Sequence, residues 1–397
     1  MNHILSFDIS KNKSFVCLID DKRNIIIDPF EINHNRKEFD DLYSKVNDYE
    51  GLIVVMESTS IYHLPVEKYF RNKFKIVEVM NPRLVKQFND TLNKSKTDRV
   101  DCLKIARCYL ATIDEFRLKN DDYFKFNPIS RQYYSLVESI VRYKNRYKQL
   151  IDIVFPEFHQ IFSNLYSDMA LKFIHEFPHP ELFYKKRTDY LTNKLALFNN
   201  SSQAFRFKKK VEKMKSLADN SLWFVSSSSF EVFNLKQIIE IIIFTEKEIN
   251  KLRDLLINSL KETHLFKIIK SIPFMSDLNV ALFLSEIGDV TRFDNASQLI
   301  SFCGIDSIIK QSGKSVNYHG PISKTGNKYV RKLLFNTCTQ IISVSARLYP
   351  SHPVYLFFRK KQNENKHHYV SIIACSTKLC RIIFTLCKKD CFYLPKH

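Results

Sequence analysis

Four carboxylates, Asp8, Glu57, Asp98 and Asp101, stand in a chain that is otherwise strongly basic. Like charges gathered in one place repel unless a cation joins them. Hard oxygen ligands suit a divalent ion, and Mg²⁺ held by carboxylates is the usual setting for phosphoryl transfer. Asp98 and Asp101 are three residues apart in Thr97–Ala111, whose apolar positions (Val100, Leu103, Ile105, Ala106, Leu110) follow helical spacing. Residues three apart share a helix face, so both acids can point the same way. At a metal–metal spacing of ~3.5–4 Å, four carboxylates can hold two Mg²⁺ ions that stabilise the attacking and leaving oxygens. Taken singly, each acid has a plainer alternative: Asp98 as a first-turn acid favoured by the helix dipole, Glu57 as a cap on the following helix.

A second group of candidates lies far along the chain, in Gln311-Ser312-Gly313-Lys314 and Ser323-Lys324-Thr325-Gly326-Asn327, followed by Arg331. Glycine beside serine lets a backbone approach a phosphate closely. A helix starting near Gly326, with Lys324 and Arg331 beside it, offers an anion site. Ser312 in such a basic loop can be a phosphoryl nucleophile activated by nearby cations. An ordinary turn is the alternative.

The elements that must position these residues are legible from pattern. Residues 3–10 read as a strand carrying Asp8, 13–20 and 25–32 as two more, joined by tight turns such as Asp20–Asn24. Helical spacing over 35–46 follows, then the continuous apolar run Gly51–Glu57, the pattern of a strand covered on both faces. A helix at 65–72, a strand at 74–79 and a helix from Pro82 complete the series. A three-strand meander followed by strand, helix, strand, helix is the order of a ribonuclease-H-like fold. There the first and fourth strands are neighbours, which brings Asp8 to Glu57.

Residues 130–154 and 235–260 read as long amphipathic helices, paired in the manner of a coiled coil, as a spacer that also oligomerises. Between them, 156–223 reads as irregular and aromatic-rich, with a basic run Arg206-Phe207-Lys208-Lys209-Lys210 that is either a solvated face or a phosphate track. Farther on, Leu278–Ile287 reads as an apolar helix, and Asp294 as the cap of a helix over 296–302.

The chain has 397 residues, with 61 Lys plus Arg against 42 Asp plus Glu, a net charge of +19. That length implies two or three domains, and that charge a polyanionic partner. A membrane span is not expected: Glu240 interrupts the run 238–244, and Lys378 and Arg381 lie inside 370–387, which fits a buried helix. The first residues have no basic segment or cleavage site, so no signal peptide is expected. Nine cysteines without a CxxC pair imply buried thiols in a reducing cytoplasm rather than a disulfide scaffold or a zinc site.

Phe7-Asp8-Ile9-Ser10-Lys11, Glu57-Ser58-Thr59, Asn81-Pro82 and Lys96-Thr97-Asp98-Arg99-Val100-Asp101 resemble the DEDD transposases of the insertion-sequence "one-ten" family, relatives of the Piv/MooV invertases. Glu286–Phe293, Ser312-Gly313 and Ser323–Asn327 with Arg331 resemble the same family's transposase domain. The resemblance covers roughly 1–115 and 265–345. It implies an α/β plus α chain: a RuvC-like mixed sheet with helices over 1–118, a helical linker over 119–264, and a mostly helical transposase domain over 265–397. It implies Mg²⁺ on Asp8, Glu57, Asp98 and Asp101, and Ser312 as a nucleophile forming a phosphoserine link to DNA. Lys96, Arg99, Lys314, Lys324 and Arg331 would contact nucleic acid. Donor and target DNA, a structured bridge RNA that reads them by base pairing, and a dimer or tetramer of the chain are the implied partners. A hydrolytic nuclease of the Holliday-junction-resolvase type, or an inactive nucleic-acid-binding derivative, are the alternatives. The chain departs from the family pattern at Phe7 and Ser60, where glycines are usual, and at Pro273-Phe274-Met275-Ser276, where the family has Pro-Gly-Ile-Gly.

Overall fold

The computed structural model describes residues 3–58, 61–80, 98–112, 122–312 and 316–394, with the single positions 82, 85, 86 and 88. The chain divides into two compact units, Met1–Asn120 and Asp121–His397.

The first unit runs β1 (His3–Ile9), β2 (Lys13–Asp20), β3 (Ile25–Asn33), α1 (Arg36–Val46), β4 (Leu52–Glu57), α2 (His63–Arg71), β5 (Ile76–Met80) and α3 (Asp98–Thr112). The sheet order is β3-β2-β1-β4-β5. The first three strands form an antiparallel meander, and β1–β4 and β4–β5 are parallel. The turns use local chemistry. Arg23 takes the left-handed region at φ 70°, and Asp20 Oδ1 accepts the Asn24 amide at 2.7 Å. Both faces of the sheet are covered, so β4 is apolar throughout, as its sequence implies. Leu5, Phe7, Val54 and Met56 pack with Phe39, Leu42, Val66 and Phe70 on one face. Ile4, Ile53 and Val55 pack with Ile105, Ala106 and Cys108 of α3 on the other.

The second unit contains α4 (Asn127–Val154), α5 (Asp168–Glu176), α6 (Thr188–Phe198), α7 (Lys208–Asp219), α8 (Phe230–Leu260), α9 (His264–Lys270), α10 (Asp277–Ile287), α11 (Ala296–Cys303), the hairpin β6 (Ser307–Ser312) and β7 (Val316–Ile322), α12 (Lys328–Leu348), α13 (Pro353–Asn363) and α14 (His368–Lys388). Helices α4 and α8 pair antiparallel. Tyr134 near the start of α4 shares a cluster with Leu256 and Leu260, while Tyr147 and Val154 share another with Val232 and Leu235. Lys144 and Glu246 bridge the pair at 2.7 Å.

Residues 156–223 are not irregular. They hold α5, α6 and α7, packed around Phe155, Phe158, Phe162, Phe173 and Phe183. These helices have only 9, 11 and 12 residues. Pro156 ahead of α5, and Pro178 and Pro180 between α5 and α6, break the pattern, which hides the helical spacing from a long window. The basic run opens α7, and Lys210 Nζ sits 4.3 Å from the Phe162 ring centre, folded against the core. The cap of α11 is Asn295, which accepts the Gln298 amide; Asp294 instead accepts from the Gln298 side chain at 3.2 Å. Helix α14 is long and apolar enough to cross a membrane by length and composition. In the fold, Ile372, Cys375, Leu379, Cys380 and Ile383 are buried in the same cluster as α12 and α13 residues. All nine cysteines are free, and all but Cys391 are buried.

Candidate functional site

In the first unit, Phe7 stands opposite Met56 in the parallel β1–β4 register. The next residues of the two strands are Asp8 and Glu57, so these are lateral neighbours. Alternation sends Phe7 and Met56 into one core, and Asp8 and Glu57 to the face that α3 covers. Ser6, two residues before Asp8, ties α3 to that face by donating to the Cys102 carbonyl at 2.8 Å. Asp101 lies in the first turn of α3, where the helix dipole favours an acid. Burial, then the negative charge of Asp101, push the Glu57 carboxyl above its ordinary range. Two carboxylates are therefore close and partly desolvated, the condition a cation relieves. Lys104 meets part of that need, with Nζ 2.8 Å from Asp101 Oδ1 and its side chain 11% exposed.

The donor set of hard carboxylate oxygens fits Mg²⁺ in its chemistry. Among the described residues, no three His, Cys, Asp or Glu side chains converge as a metal cluster would. Asp98 opens α3; its side chain lies outside the described residues, as does Lys96. Arg99 donates from Nη2 to the Pro29 carbonyl at 3.2 Å, so its guanidinium is anchored to β3.

In the second unit, Ser312 ends β6 in register with Val316. Lys314 lies outside the described residues. The Ser323–Asn327 loop is clamped onto the end of α11. Ser323 donates its amide to the Asp306 carbonyl at 2.8 Å and its hydroxyl to the Asp306 carboxylate at 2.6 Å. Lys324 is exposed, has φ 54°, and donates its amide to the Gly304 carbonyl at 3.2 Å. Asn327 donates its amide to the Phe302 carbonyl at 2.8 Å. Gly304 ends α11 in the left-handed conformation at φ 66°, and Gly326 lies so close that neither tolerates a Cβ. Arg331 reaches back from α12 to the Cys303 carbonyl at 3.3 Å. Carbonyls orient this guanidinium without neutralising it.

Asn327 caps α12, its Oδ1 accepting the amides of Tyr329 at 2.9 Å and Val330 at 3.2 Å. Its amide nitrogen donates to Glu286 Oε2 at 2.8 Å. Glu286 is the hub that residue patterns alone do not assign. Its side chain is fully buried, yet it accepts from Ser130 Oγ at 2.5 Å and Asn127 Nδ2 at 3.2 Å, with Arg131 Nε 3.7 Å away. A buried carboxylate persists only when so satisfied. Two signals in the sequence point to it without giving its role: it heads the Glu286–Phe293 stretch, and it is a lone acid inside the apolar run Val280–Ile287. Phe274 stands where the resemblance leads one to expect glycine, and it adopts the glycine-like backbone at φ 65°. Such a conformation costs on the order of 1 kcal/mol or more for a bulky residue. The Phe274 ring is 6.5 Å from Tyr349 and 6.1 Å from His352, contacts that help hold it there.

Comparison with known proteins adds three matches. A model for DEDD transposases of the IS110 type matches residues 5–156, and one described as "Transposase IS116/IS110/IS902 family" matches residues 266–352. The "Insertion element IS110 uncharacterized 43.6 kDa protein" of Streptomyces coelicolor is 24% identical over 139 residues, 34% of this chain and 32% of the relative. The similar stretch thus spans about a third of that relative's length.

Proposed function

The chain belongs to the IS110 family of transposases, and from that premise we propose that it cleaves and rejoins DNA strands to move an insertion element, guided by an RNA. The observation that carries this reading is the lateral pairing of Asp8 with Glu57 under α3, with the charge of Asp101 felt at Glu57. Asp8, Glu57, Asp98 and Asp101 would hold Mg²⁺. When bound, the ion supplies charge neutralisation at the phosphate undergoing exchange. Ser312 Oγ attacks phosphorus, and the P–O3′ bond breaks. A 3′ hydroxyl of the other strand later displaces the serine. Each step makes one P–O bond and breaks one, so no external energy source is needed. Lys314, Lys324 and Arg331 balance the negative charge that builds on the phosphate.

Donor and target DNA are the substrates, and a bridge RNA encoded by the element reads them by pairing, leaving the protein to hold backbones. The net charge of +19 supports binding to such polyanions. The chain works as a homo-oligomer. Support comes from α8, whose exposed face carries Phe230, Phe233, Ile241, Phe244 and Leu255 at near-heptad intervals.

A denaturing gel tests the chemistry. Protein, Mg²⁺, RNA transcribed from the element's flanks, and labelled donor and target DNA are mixed, with Ser312→Ala alongside. A protease-sensitive protein–DNA band in the unsubstituted chain alone is the expected result. Cleaved DNA without an adduct in either lane would refute the serine step and leave water as the attacking group.

A further inference from the structure

The turn between α13 and α14 carries a cluster that the strand-exchange chemistry does not use. It lies beyond residue 352, outside both matched stretches. Residues 363–370 are all exposed, as are Arg359 and Lys360. Arg359, Lys360, Lys361 and Lys366 bring four cations to this end of the helix pair, against one acid, Glu364, which pairs with Lys361 at 2.7 Å. A hydrogen bond from Lys361, then the charges of Lys361, Lys360 and Lys366, hold the Glu364 carboxyl below its ordinary range. Three ammonium groups thus surround one carboxylate, and the excess is positive.

Beside the charges runs a line of rings. The centres of Phe358 and His368 are 5.5 Å apart, those of His368 and Tyr369 5.8 Å, and those of His367 and Tyr369 5.5 Å. Tyr369 is where these contacts meet, with Phe335 at 6.1 Å as well, and it still has 62% of its surface open. The backbone that presents it is braced. Asn365 takes the left-handed region at φ 55°, and Lys366 donates its amide to the Lys361 carbonyl at 3.1 Å. The Gln362 side chain spans the turn, donating to the Lys366 carbonyl at 3.2 Å and to Ser371 Oγ at 2.8 Å. The backbone of the turn therefore has little ordering entropy left to lose on binding.

We propose that this turn binds single-stranded nucleic acid, with a base stacked on Tyr369 and neighbouring phosphates held by Arg359, Lys360 and Lys366. Charge complementarity selects a polyanion. The exposed ring selects one whose planar faces are free, which an unpaired strand offers and a duplex does not. An acidic peptide would meet the charges and leave the ring idle. Strand exchange exposes unpaired DNA and a guide RNA has unpaired loops, so DNA and RNA share this chemistry.

The test is fluorescence anisotropy of the full chain with labelled oligo-dT, oligo-U and a mixed-sequence duplex in EDTA. Binding is read without cleavage, so failure of the proposed reaction leaves this result intact, and the converse holds. Tyr369→Ala should weaken single-strand binding by about tenfold or more and leave duplex binding unchanged. Loss confined to oligo-U assigns the site to RNA, and loss confined to oligo-dT assigns it to DNA. Lys360→Glu with Lys366→Glu should weaken all three ligands and flatten the log–log salt slope on single strands by about 0.7 for each phosphate no longer neutralised. A Tyr369→Ala protein that binds both single strands like the unsubstituted chain, or loses duplex and single-strand affinity equally, would overturn the proposal.

Discussion

Gly326→Ala adds one methyl group where the loop after β7 meets the end of α11. The new Cβ would lie 2.1 Å from the Phe302 carbonyl oxygen and 2.4 Å from the Gly304 amide nitrogen, whereas ordinary contacts begin near 3.4 Å. Both neighbours are backbone, so neither can rotate away. The loop must withdraw by about an ångström, which stretches the bonds from Asn327 N to Phe302 O (2.8 Å) and Lys324 N to Gly304 O (3.2 Å) out of range. Two broken hydrogen bonds at ~0.5–1.5 kcal/mol each, with ~1–3 kcal/mol of overpacking, give roughly 2–6 kcal/mol. For a unit of this size, each kcal/mol shifts Tm by about 2–4 °C, so the expected fall is on the order of 10 °C. Differential scanning calorimetry measures it. Gly304→Ala strikes the same contact from the other side, with its Cβ 2.6 Å from the Gly326 amide nitrogen. Once one methyl has opened the gap, the second meets less resistance, so the double variant should lose less than the sum of the singles. A Gly326→Ala protein that melts within ~1 °C of the unsubstituted chain would refute the contact and the preorganised Ser323–Asn327 loop with it.

Two further outcomes follow from the same unit. Glu286→Ala removes the carboxylate to which Asn127, Ser130 and Asn327 donate, leaving them only longer bonds to the carbonyls of Ser285, Asn127 and position 286, and should cost about 1–3 kcal/mol. Glu286→Gln, which keeps an acceptor, should cost less, and hydrogen exchange at the Tyr329 and Val330 amides should rank the variants in that order. His352 caps α13, its Nδ1 accepting the Val354 amide at 3.2 Å, and burial pushes its pKa down from 6.5 to about 4. The unfolded chain therefore binds a proton that the fold refuses. Stability is fully present above pH 6.5 and should fall by up to ~3 kcal/mol between pH 6.5 and 4. Urea melts at pH 7 and 4.5 should show that fall, and His352→Asn, which can still cap, should lose it.

The parts of the fold that were legible in the sequence are those with one dominant period. The Leu52–Met56 run could only be a strand covered on both faces, and the meander before it put β1 beside β4. Asp8 and Glu57 follow from that adjacency. What stayed hidden depends on groups far apart in sequence. Glu286 looks like a misplaced acid until Asn127, Ser130 and Asn327 surround it. Phe274 looks like the loss of a turn, because side-chain identity does not reveal a φ that neighbouring rings can enforce. Helices α5 to α7 escaped because their periodicity is short and carried by aromatics. At α11 the choice between Asp294 and Asn295 turned on one residue of register, and two adjacent cap-forming side chains do not decide it.

The antiparallel pairing of α4 and α8 bears on how such a chain can change length over evolution. Val154 closes α4 and Phe230 opens α8, with Val154, Val232 and Leu235 in one cluster. Everything from 155 to 229 therefore leaves and re-enters the rod at nearly one point. Segments with adjoining ends can be lengthened, trimmed or exchanged while the flanking register survives. The tip of the rod is thus the place where relatives can differ most in size while the elements at its base keep their spacing. It is also where a foreign domain could be spliced in with the least disturbance to the Ser323–Asn327 loop.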